Sequence, residues 1–427
     1  MRRRFLLSTA AADLSALLLA LVAASYVTFG VAPWQVQLSG GRSIMPLAGF
    51  FVVGSLVGSL ISARMWAGAA PRPSYGRGVA IVIFGVAFTA LAVIGSASYL
   101  SRTFFAVTAV TWLVGGMAHR AVRRRRPWTE SMIVITNEKG LIDDLRDAEH
   151  TEVLALMDPA ASGELEAPAA GATVVVDLRA VLSDRMAQFV SSAALAGIPV
   201  RALSSVYEEH TGRMPLVHLA EGWELSTPVT KTAPIIGGKF IFDVLAVIVA
   251  APLAIPLGLL IGLAIRLDSP GPVIFRQVRT GRHGVPFTLY KFRTMVMDAE
   301  AAGPKFALKE DPRLTRVGRL LRRVRVDELP QLFNVLKGDL SLVGPRPEQV
   351  PFTEHFRREI PFYEQRHLVR PGVTGWAQVN YGYADDQAEA VDKLTYDLYY
   401  VKHMSPWLDL HVLGRSIWTV LSGFGAR

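Results

Sequence analysis

Hydrophobic and polar positions divide the chain into three stretches. Through residue 126, four apolar runs alternate with short polar breaks: Phe5–Val31, Ile44–Ala63, Val79–Leu100 and Thr103–Ala121. Each has about the 20 residues that a helix needs to cross a bilayer core. Charges are nearly absent inside the runs; Asp13 is the exception, and the sequence offers no reason for it. From residue 130 to about 200 the period shortens. Met132–Thr136 and Thr173–Asp177 are short β-branched runs, as buried parallel strands tend to be. Gly140–Ala148 and Ser183–Ala196 have helical spacing, and Ala196–Val200 reads as a helix end feeding a strand. The last stretch opens on another apolar run, Phe240–Leu267, and is then dense in arginine, proline and glycine.

Arginine placement orients the first stretch. Arg2, Arg3 and Arg4 precede the first run, Arg64, Arg72 and Arg77 fall in the second loop, and Arg120 and Arg123 to Arg126 follow the fourth run, against Arg42 and Arg102 in the other two loops. This bias puts both ends of a four-crossing bundle in the cytoplasm. The first run could be a signal peptide, but its length and the three runs behind it favour an uncleaved anchor. The whole chain is 51% hydrophobic and 19% charged, too apolar for a soluble chain of 427 residues. Its net charge of +9 points to anionic lipid or phosphate-bearing substrates rather than nucleic acid. The absence of cysteine excludes disulfides and thiolate metal sites.

The middle stretch predicts a small doubly wound, Rossmann-like α/β domain. A dinucleotide site would need glycines in the first strand–helix turn. Here that turn, Thr136–Gly140, has one glycine and places Glu138 where a pyrophosphate would sit. The domain therefore reads as structural or regulatory. Residues 157–172 read as a loop, and residues 226–238 as a linker.

Pro252 and Pro256 interrupt the fifth apolar run, and basic residues flank it on both sides (Lys231 and Lys239; Arg266, Arg276 and Arg279). A crossing helix usually shows asymmetry. Charge alone leaves two options: a kinked fifth crossing, or a hairpin that bends at Pro252 and returns. Beyond it, Phe287–Met295 alternates as a strand that would carry Lys291 and Arg293 on one face. Two adjacent cations suit a diphosphate, although a solvated edge strand looks the same. Arg313 to Arg325 holds six arginines and no acid, with Leu314, Val317, Leu320, Leu321 and Val324 at helical spacing. Such a helix can lie on anionic headgroups or pack on its own domain. It leads to Asp327 and Glu328, followed by Pro330 as the opening of a new helix that Lys337-Gly338 would end. Ionised carboxylates are favoured at a helix N-terminus. The pair could be nucleophile and metal ligand, or only a cap. Arg346 sits between Pro345 and Pro347, a stiff setting suited to bidentate phosphate recognition.

In this order the pieces resemble the bacterial sugar transferase family, the monotopic phosphoglycosyl transferases. They are the proline-broken run, LDSPGPVIFRQ, YKFRTM, DPRLTRVGRLLRRVRVDELPQLFNVLKGDLSLVGPRPE, RPGVTGWAQVN and YDLYYVKHMSPWLDL, over roughly residues 236–424. With the bundle and α/β domain ahead of them they are similar to the large form of that family. YEEHTGRMPL and the C-terminal segment look closest to exopolysaccharide-priming members. The resemblance implies three domains: a four-helix transmembrane bundle (1–126), a Rossmann-like domain (127–225) and a mainly α, α+β catalytic domain (226–427) with a re-entrant hairpin at about 238–267. It implies that Asp327 attacks the β-phosphorus of a UDP-sugar, releases UMP and passes the phosphosugar to undecaprenyl phosphate. It further implies Mg²⁺ held by Glu328, phosphate contacts from Lys291, Arg293 and Arg346, and a weaker substrate role for Asp397. The expected setting is the bacterial cytoplasmic membrane, with catalysis on the cytoplasmic face, the bilayer as partner and a homodimer as an option. Two departures stand out: Ala251 precedes Pro252 where many members have serine, and the glycine-rich turn of many large members is missing. The rival functions are a non-catalytic scaffold or chain-length regulator, and a transferase without a covalent intermediate.

Overall fold

The computed structural model describes residues 2–38, 42–65, 75–95, 101–124, 129–163, 171–221, 233–297, 311–381 and 387–422. Arg72, Arg125, Arg126, Lys231 and most of the expected linker lie outside these residues. The chain forms two compact units, Met1–Glu130 and Ser131–Arg427.

The first unit holds helices α1 (Arg2–Phe29), α2 (Met45–Met65), α3 (Tyr75–Gly95) and α4 (Arg102–Arg124). The four apolar runs thus become four helices. Their shared core is built from Leu17, Leu21, Phe51, Ile81, Phe104 and Trp112. The structure also accounts for Asp13. Its two carboxylate oxygens accept from Arg120 Nη1 and Nη2 at 2.5 and 2.7 Å, and Nη1 also donates to the Gly116 carbonyl at 3.0 Å. A carboxylate in an apolar bundle is tolerated because a fitted guanidinium satisfies it.

The second unit begins with a four-stranded sheet of order β2-β1-β3-β4, from β1 (Glu130–Ile135), β2 (Thr151–Met157), β3 (Thr173–Val176) and β4 (Val200–Ala202). β3 pairs in parallel with β1 and with β4. The strand period of two sends Met132, Val134 and Val175 toward α5 (Lys139–Asp147) and α7 (Leu203–Thr211). It sends Ile135, Val174 and Val176 toward α6 (Asp184–Leu195). At the carboxyl edge, where ligands bind in such sheets, Thr136 Oγ1 donates to Asp177 at 2.7 Å, and both residues are buried. β2 lacked an apolar run long enough to read from sequence. Past α7 the chain enters the C-terminal core: Met214 and Leu219 pack with Ile360, Tyr363, Leu394 and Leu398.

The fifth apolar run is helix α8, Ala233–Asp268, and it continues through both Pro252 and Pro256. The helical backbone runs on through Pro252, the position of the expected bend, without a loop there. Each proline removes one backbone donor and crowds the preceding turn. The other bonds of a 36-residue apolar helix persist on either side. Four described helical stretches are long and apolar enough to cross a membrane: Thr9–Phe29, Tyr75–Ile94, Arg102–Arg123 and Gly237–Asp268; α2 holds a shorter one, Ala48–Leu60. The chain is a membrane protein.

α8 touches its unit at both ends. Near its start Lys239 pairs with Asp409 at 2.5 Å, Asp243 accepts from Ser341 at 2.6 Å, and Val247 packs with Leu289, Val335 and Leu340. Near its end Ile261 and Ile265 pack with Phe292 and Leu321. Between them Val249 and Leu253 are each 80% exposed. The remaining elements are the antiparallel hairpin β5 (Ile274–Thr280) and β6 (Pro286–Phe292), α9 (Arg316–Arg323), α10 (Gln331–Lys337), β7 (Ser341–Val343), α11 (Val350–Glu359), β8 (Gly372–Thr374), α12 (Trp376–Asn380), α13 (Gln387–His403) and α14 (Pro406–Ser422).

Candidate active site

The basic helix is shorter than its arginine run. Thr315 caps it by accepting from Gly318 N at 2.9 Å. Gly318 presses on the end of the hairpin: a Cβ there would lie 2.0 Å from the Thr294 carbonyl oxygen. Leu321 faces inward, while Leu320 is exposed. Arg325 then takes a left-handed backbone, φ +57°, and turns the chain into a 3₁₀ turn, Val326–Glu328. Asp327 and Glu328 therefore sit in that turn and not in the first turn of α10, where the position of Pro330 suggested them. Pro330 is the residue just before α10, and Gly338 ends it with φ +82°.

Three elements converge on the turn. β6 delivers Lys291, whose Nζ lies 3.3 Å from Glu328 Oε1. The loop after β7 delivers Arg346, whose Nη2 lies 3.2 Å from the same oxygen. α10 fixes β6 through Asn334, which accepts from Tyr290 N at 3.1 Å and donates to the Thr288 carbonyl at 2.7 Å. Asn334 is wholly buried, and nothing in its sequence neighbourhood announces that role. The Arg346 loop rests on a close backbone approach. β7 pairs in parallel with β8, and Gly372 N donates to the Pro345 carbonyl at 2.9 Å. A Cβ on Gly344 would meet the Arg370 carbonyl oxygen at 2.4 Å, so only glycine fits.

The two carboxyls are driven apart. Burial would raise the Glu328 pKa, but Arg346 and Lys291 outweigh it and hold the carboxyl well below its usual range. Burial, reinforced by the Glu328 charge, raises that of Asp327 against the pull of Lys291, Arg322 and Arg346. Asp327 is 8% exposed and accepts no hydrogen bond from the described residues. Burial lowers the Lys291 ammonium below the usual lysine range. Two carboxylates thus sit among Lys291, Arg322, Arg325 and Arg346, an excess of cations suited to a diphosphate.

The other predicted residues lie apart from Glu328. β6 ends at Phe292, and Arg293 turns to the segment after α8, where Nη2 donates to Ser269 O and Oγ, both at 2.7 Å. Its Nε and Nη1 are buried without a hydrogen-bond partner among the described residues. Lys291 and Arg293 thus meet different partners, Glu328 and Ser269. Asp397 lies on α13, 1% exposed, with Arg366 at 2.8 Å. Pro252 lies within α8. Among the described residues no group of three or more His, Asp or Glu side chains could hold a metal alone. Mg²⁺ bound through one or two carboxylates and substrate phosphates needs no such cage, and the adjacent Asp327 and Glu328 fit that donor set.

The profile of the bacterial sugar transferase family matches residues 236–423. The exopolysaccharide production protein of Rhizobium leguminosarum bv. phaseoli is 41% identical over 181 residues, 41% of this chain and 90% of the relative. The chain belongs to the bacterial sugar transferase family. Two other relatives carry named activities. The UDP-N-acetylgalactosamine-undecaprenyl-phosphate N-acetylgalactosaminephosphotransferase of Aeromonas hydrophila is 47% identical over 258 residues, 60% of either chain. The UDP-glucose:undecaprenyl-phosphate glucose-1-phosphate transferase of Escherichia coli K12 is 46% identical over 165 residues, 38% of this chain and 35% of the relative. The chain thus spans 60% and 35% of the lengths of these two. The family match contains the whole Asp327–Glu328–Lys291–Arg346 cluster.

Proposed function

We propose that this transferase moves a sugar 1-phosphate from a UDP-sugar to undecaprenyl phosphate, giving undecaprenyl-diphospho-sugar and UMP, as the priming step of exopolysaccharide assembly. The observation that carries this reading is the split dyad: Glu328 is engaged by two cations, and its neighbour Asp327 has no donor of its own among the described residues. In the first step an Asp327 carboxylate oxygen bonds to the sugar-linked phosphorus. The bond from that phosphorus to the bridging oxygen breaks, and UMP leaves with the electron pair. In the second, a phosphate oxygen of undecaprenyl phosphate attacks the same phosphorus and Asp327 leaves as carboxylate. This is covalent catalysis with ping-pong kinetics. Lys291 and Arg346 bind the diphosphate oxygens, and the buried unpartnered nitrogens of Arg293 support a further phosphate contact. Glu328 would hold Mg²⁺, which supplies charge neutralisation on the diphosphate.

The same reading places catalysis on the cytoplasmic face, with α8 dipping into the bilayer and returning. Both ends of α8 pack on one charged body, through Lys239, Asp243 and Asp409 at the start and the arginine-rich α9 at the end. A crossing helix would draw that body into hydrocarbon, where charge is expensive. Single cysteines at Gly238 and Ser269, in a chain that has none, should label from the same side of sealed vesicles. Labelling from opposite sides overturns re-entry.

The decisive test is UMP release by membranes bearing the full chain, with Mg²⁺, undecaprenyl phosphate and a donor panel. The panel includes UDP-glucose and UDP-N-acetylgalactosamine, the donors in the relatives' names. UDP-sugar alone should add one phosphosugar mass to the wild type and none to Asp327→Asn. Unchanged UMP release by Asp327→Asn removes the nucleophile.

A further inference from the structure

Arg346 lies between two prolines, in a loop that they stiffen but deprive of backbone donors. The segment must be gripped by its carbonyls, and all three are gripped. The Glu348 carbonyl accepts from Thr280 N at 2.9 Å, the Pro347 carbonyl from Arg279 Nη1 at 3.2 Å, and the Arg346 carbonyl from Arg366 Nη2 at 2.9 Å.

The last of these bonds leads away from the site. Arg366 is 3% exposed, and the same Nη2 faces Asp397 Oδ2 at 2.8 Å, while Nη1 donates to the Tyr363 hydroxyl at 2.6 Å. Asp397 belongs to α13, and one helical turn earlier Lys393 pairs with Glu348 at 2.6 Å. Residues four apart share a helix face, so α13 presents a cation to the side chain of the loop and an anion to the arginine under it. Asp397 is too deeply buried to touch a donor or acceptor. Asp397 pairs with Arg366, and Lys393 on the same helix face is the next cation to it, so it acts through the loop that these two residues hold.

We propose that Asp397 and Arg366 are positioning residues: the pair fixes the Arg346 carbonyl and so aims the Arg346 guanidinium at the diphosphate beside Glu328. This revises the substrate contact that the resemblance implied for Asp397, and it rests on the reading of the site as a UDP-sugar transferase. The arrangement is costly: Asp397 Oδ2 and Arg366 Nε are buried without a hydrogen bond from the described residues, and burial raises the Asp397 pKa against the pull of Arg366.

A double-mutant cycle on the full-length protein in detergent tests it. The readouts are UDP affinity and the KM and kcat of UMP release. Asp397→Asn should weaken UDP binding and raise the donor KM about tenfold in the wild-type background, with a smaller change in kcat. In an Arg346→Ala background the same change should have less than about a twofold effect, because the residue to be aimed is gone. A general packing defect would multiply equally in both backgrounds; that result overturns the positioning role. If Asp397→Asn does not fold, Arg366→Lys carries the same cycle, since it keeps a charge for Asp397 but loses the fork that reaches the carbonyl. A wild type that neither binds UDP nor releases UMP would overturn the transferase reading itself, and the positioning role with it. Intact UDP binding with multiplying effects overturns the positioning role alone.

Discussion

Two of the buried acidic sites among the described residues, around Asp13 and around Asp327, are built differently. In the membrane bundle each oxygen of Asp13 has its own N–H from Arg120, at 2.5 and 2.7 Å, and the backbone of Gly116 takes a further bond. In the catalytic unit Lys291 and Arg346 share one oxygen of Glu328 at 3.3 and 3.2 Å, and Asp327 beside it accepts nothing from the described residues. A carboxylate whose oxygens are all satisfied has no capacity left, and its role is to hold helices. A cluster with looser contacts, surplus cations and an unsatisfied carboxylate is preorganised for added charge. The same residue types therefore serve stability in one place and chemistry in the other.

Removing the acid tests this contrast most strongly. Asp327→Asn should lower UMP release by at least about 10³-fold, as loss of a covalent nucleophile does. Its stability should not fall. The Asp327 pKa is raised by burial, so its stabilising form is the protonated one, lost as pH rises through the folded-state value. At neutral pH the uncharged asparagine removes a cost, and the thermal midpoint should hold or rise. A large drop in that midpoint would mean that Asp327 is a structural acid like Asp13.

The opposite outcome is expected in the bundle. Asp13→Asn leaves Arg120 buried without its anion and should cost about 3–5 kcal/mol, read as a lower thermal midpoint in detergent. UMP release per folded molecule should be unchanged. Replacing both partners, Asp13→Leu with Arg120→Met, should recover most of the loss, because an apolar pair needs no counter-charge. If the double variant is as unstable as the single one, the pair does more than satisfy its own charges.

Periodicity made the framework legible. The four N-terminal helices, β1, β3, α5 and α6 follow from runs of apolar residues at periods of 3.6 or 2. The dyad and Arg346 stood out because local chemistry marked them: an acidic pair after an acid-free run, and an arginine between prolines. What escaped was whatever depends on non-local partners. Asn334, Arg366 and the Lys393–Glu348 pair act across 20 to 46 residues and have no local signature. Asp13 was visible only as an anomaly, since its partner lies 107 residues away. In α8 the sequence shows the donors that Pro252 and Pro256 lack but not the packing of the two ends, around Val247 and Ile265, on the same unit.

The smallest effect is the most diagnostic, because it reads the electrostatics directly. In the proposed mechanism Asp327 attacks as a carboxylate, so activity should fall as pH drops through its folded-state pKa. That value is raised by burial first and by Glu328 second, so the acid limb of the rate profile should lie above the ordinary aspartate range. Lys291 is the strongest influence pulling it down. Lys291→Gln should therefore move the acid limb of the remaining activity to higher pH, and Glu328→Gln, which removes a like charge, should move it to lower pH. Lys291 itself is lowered by burial, so the wild type should also lose activity on the alkaline side before an ordinary lysine would titrate, and Lys291→Gln should lack that limb. Asp13→Asn should move neither limb. Shifts of opposite sign from the two neighbours of Asp327 would locate the titrating group at the dyad. A profile that ignores both substitutions would place it elsewhere and dissolve the distinction between the two clusters.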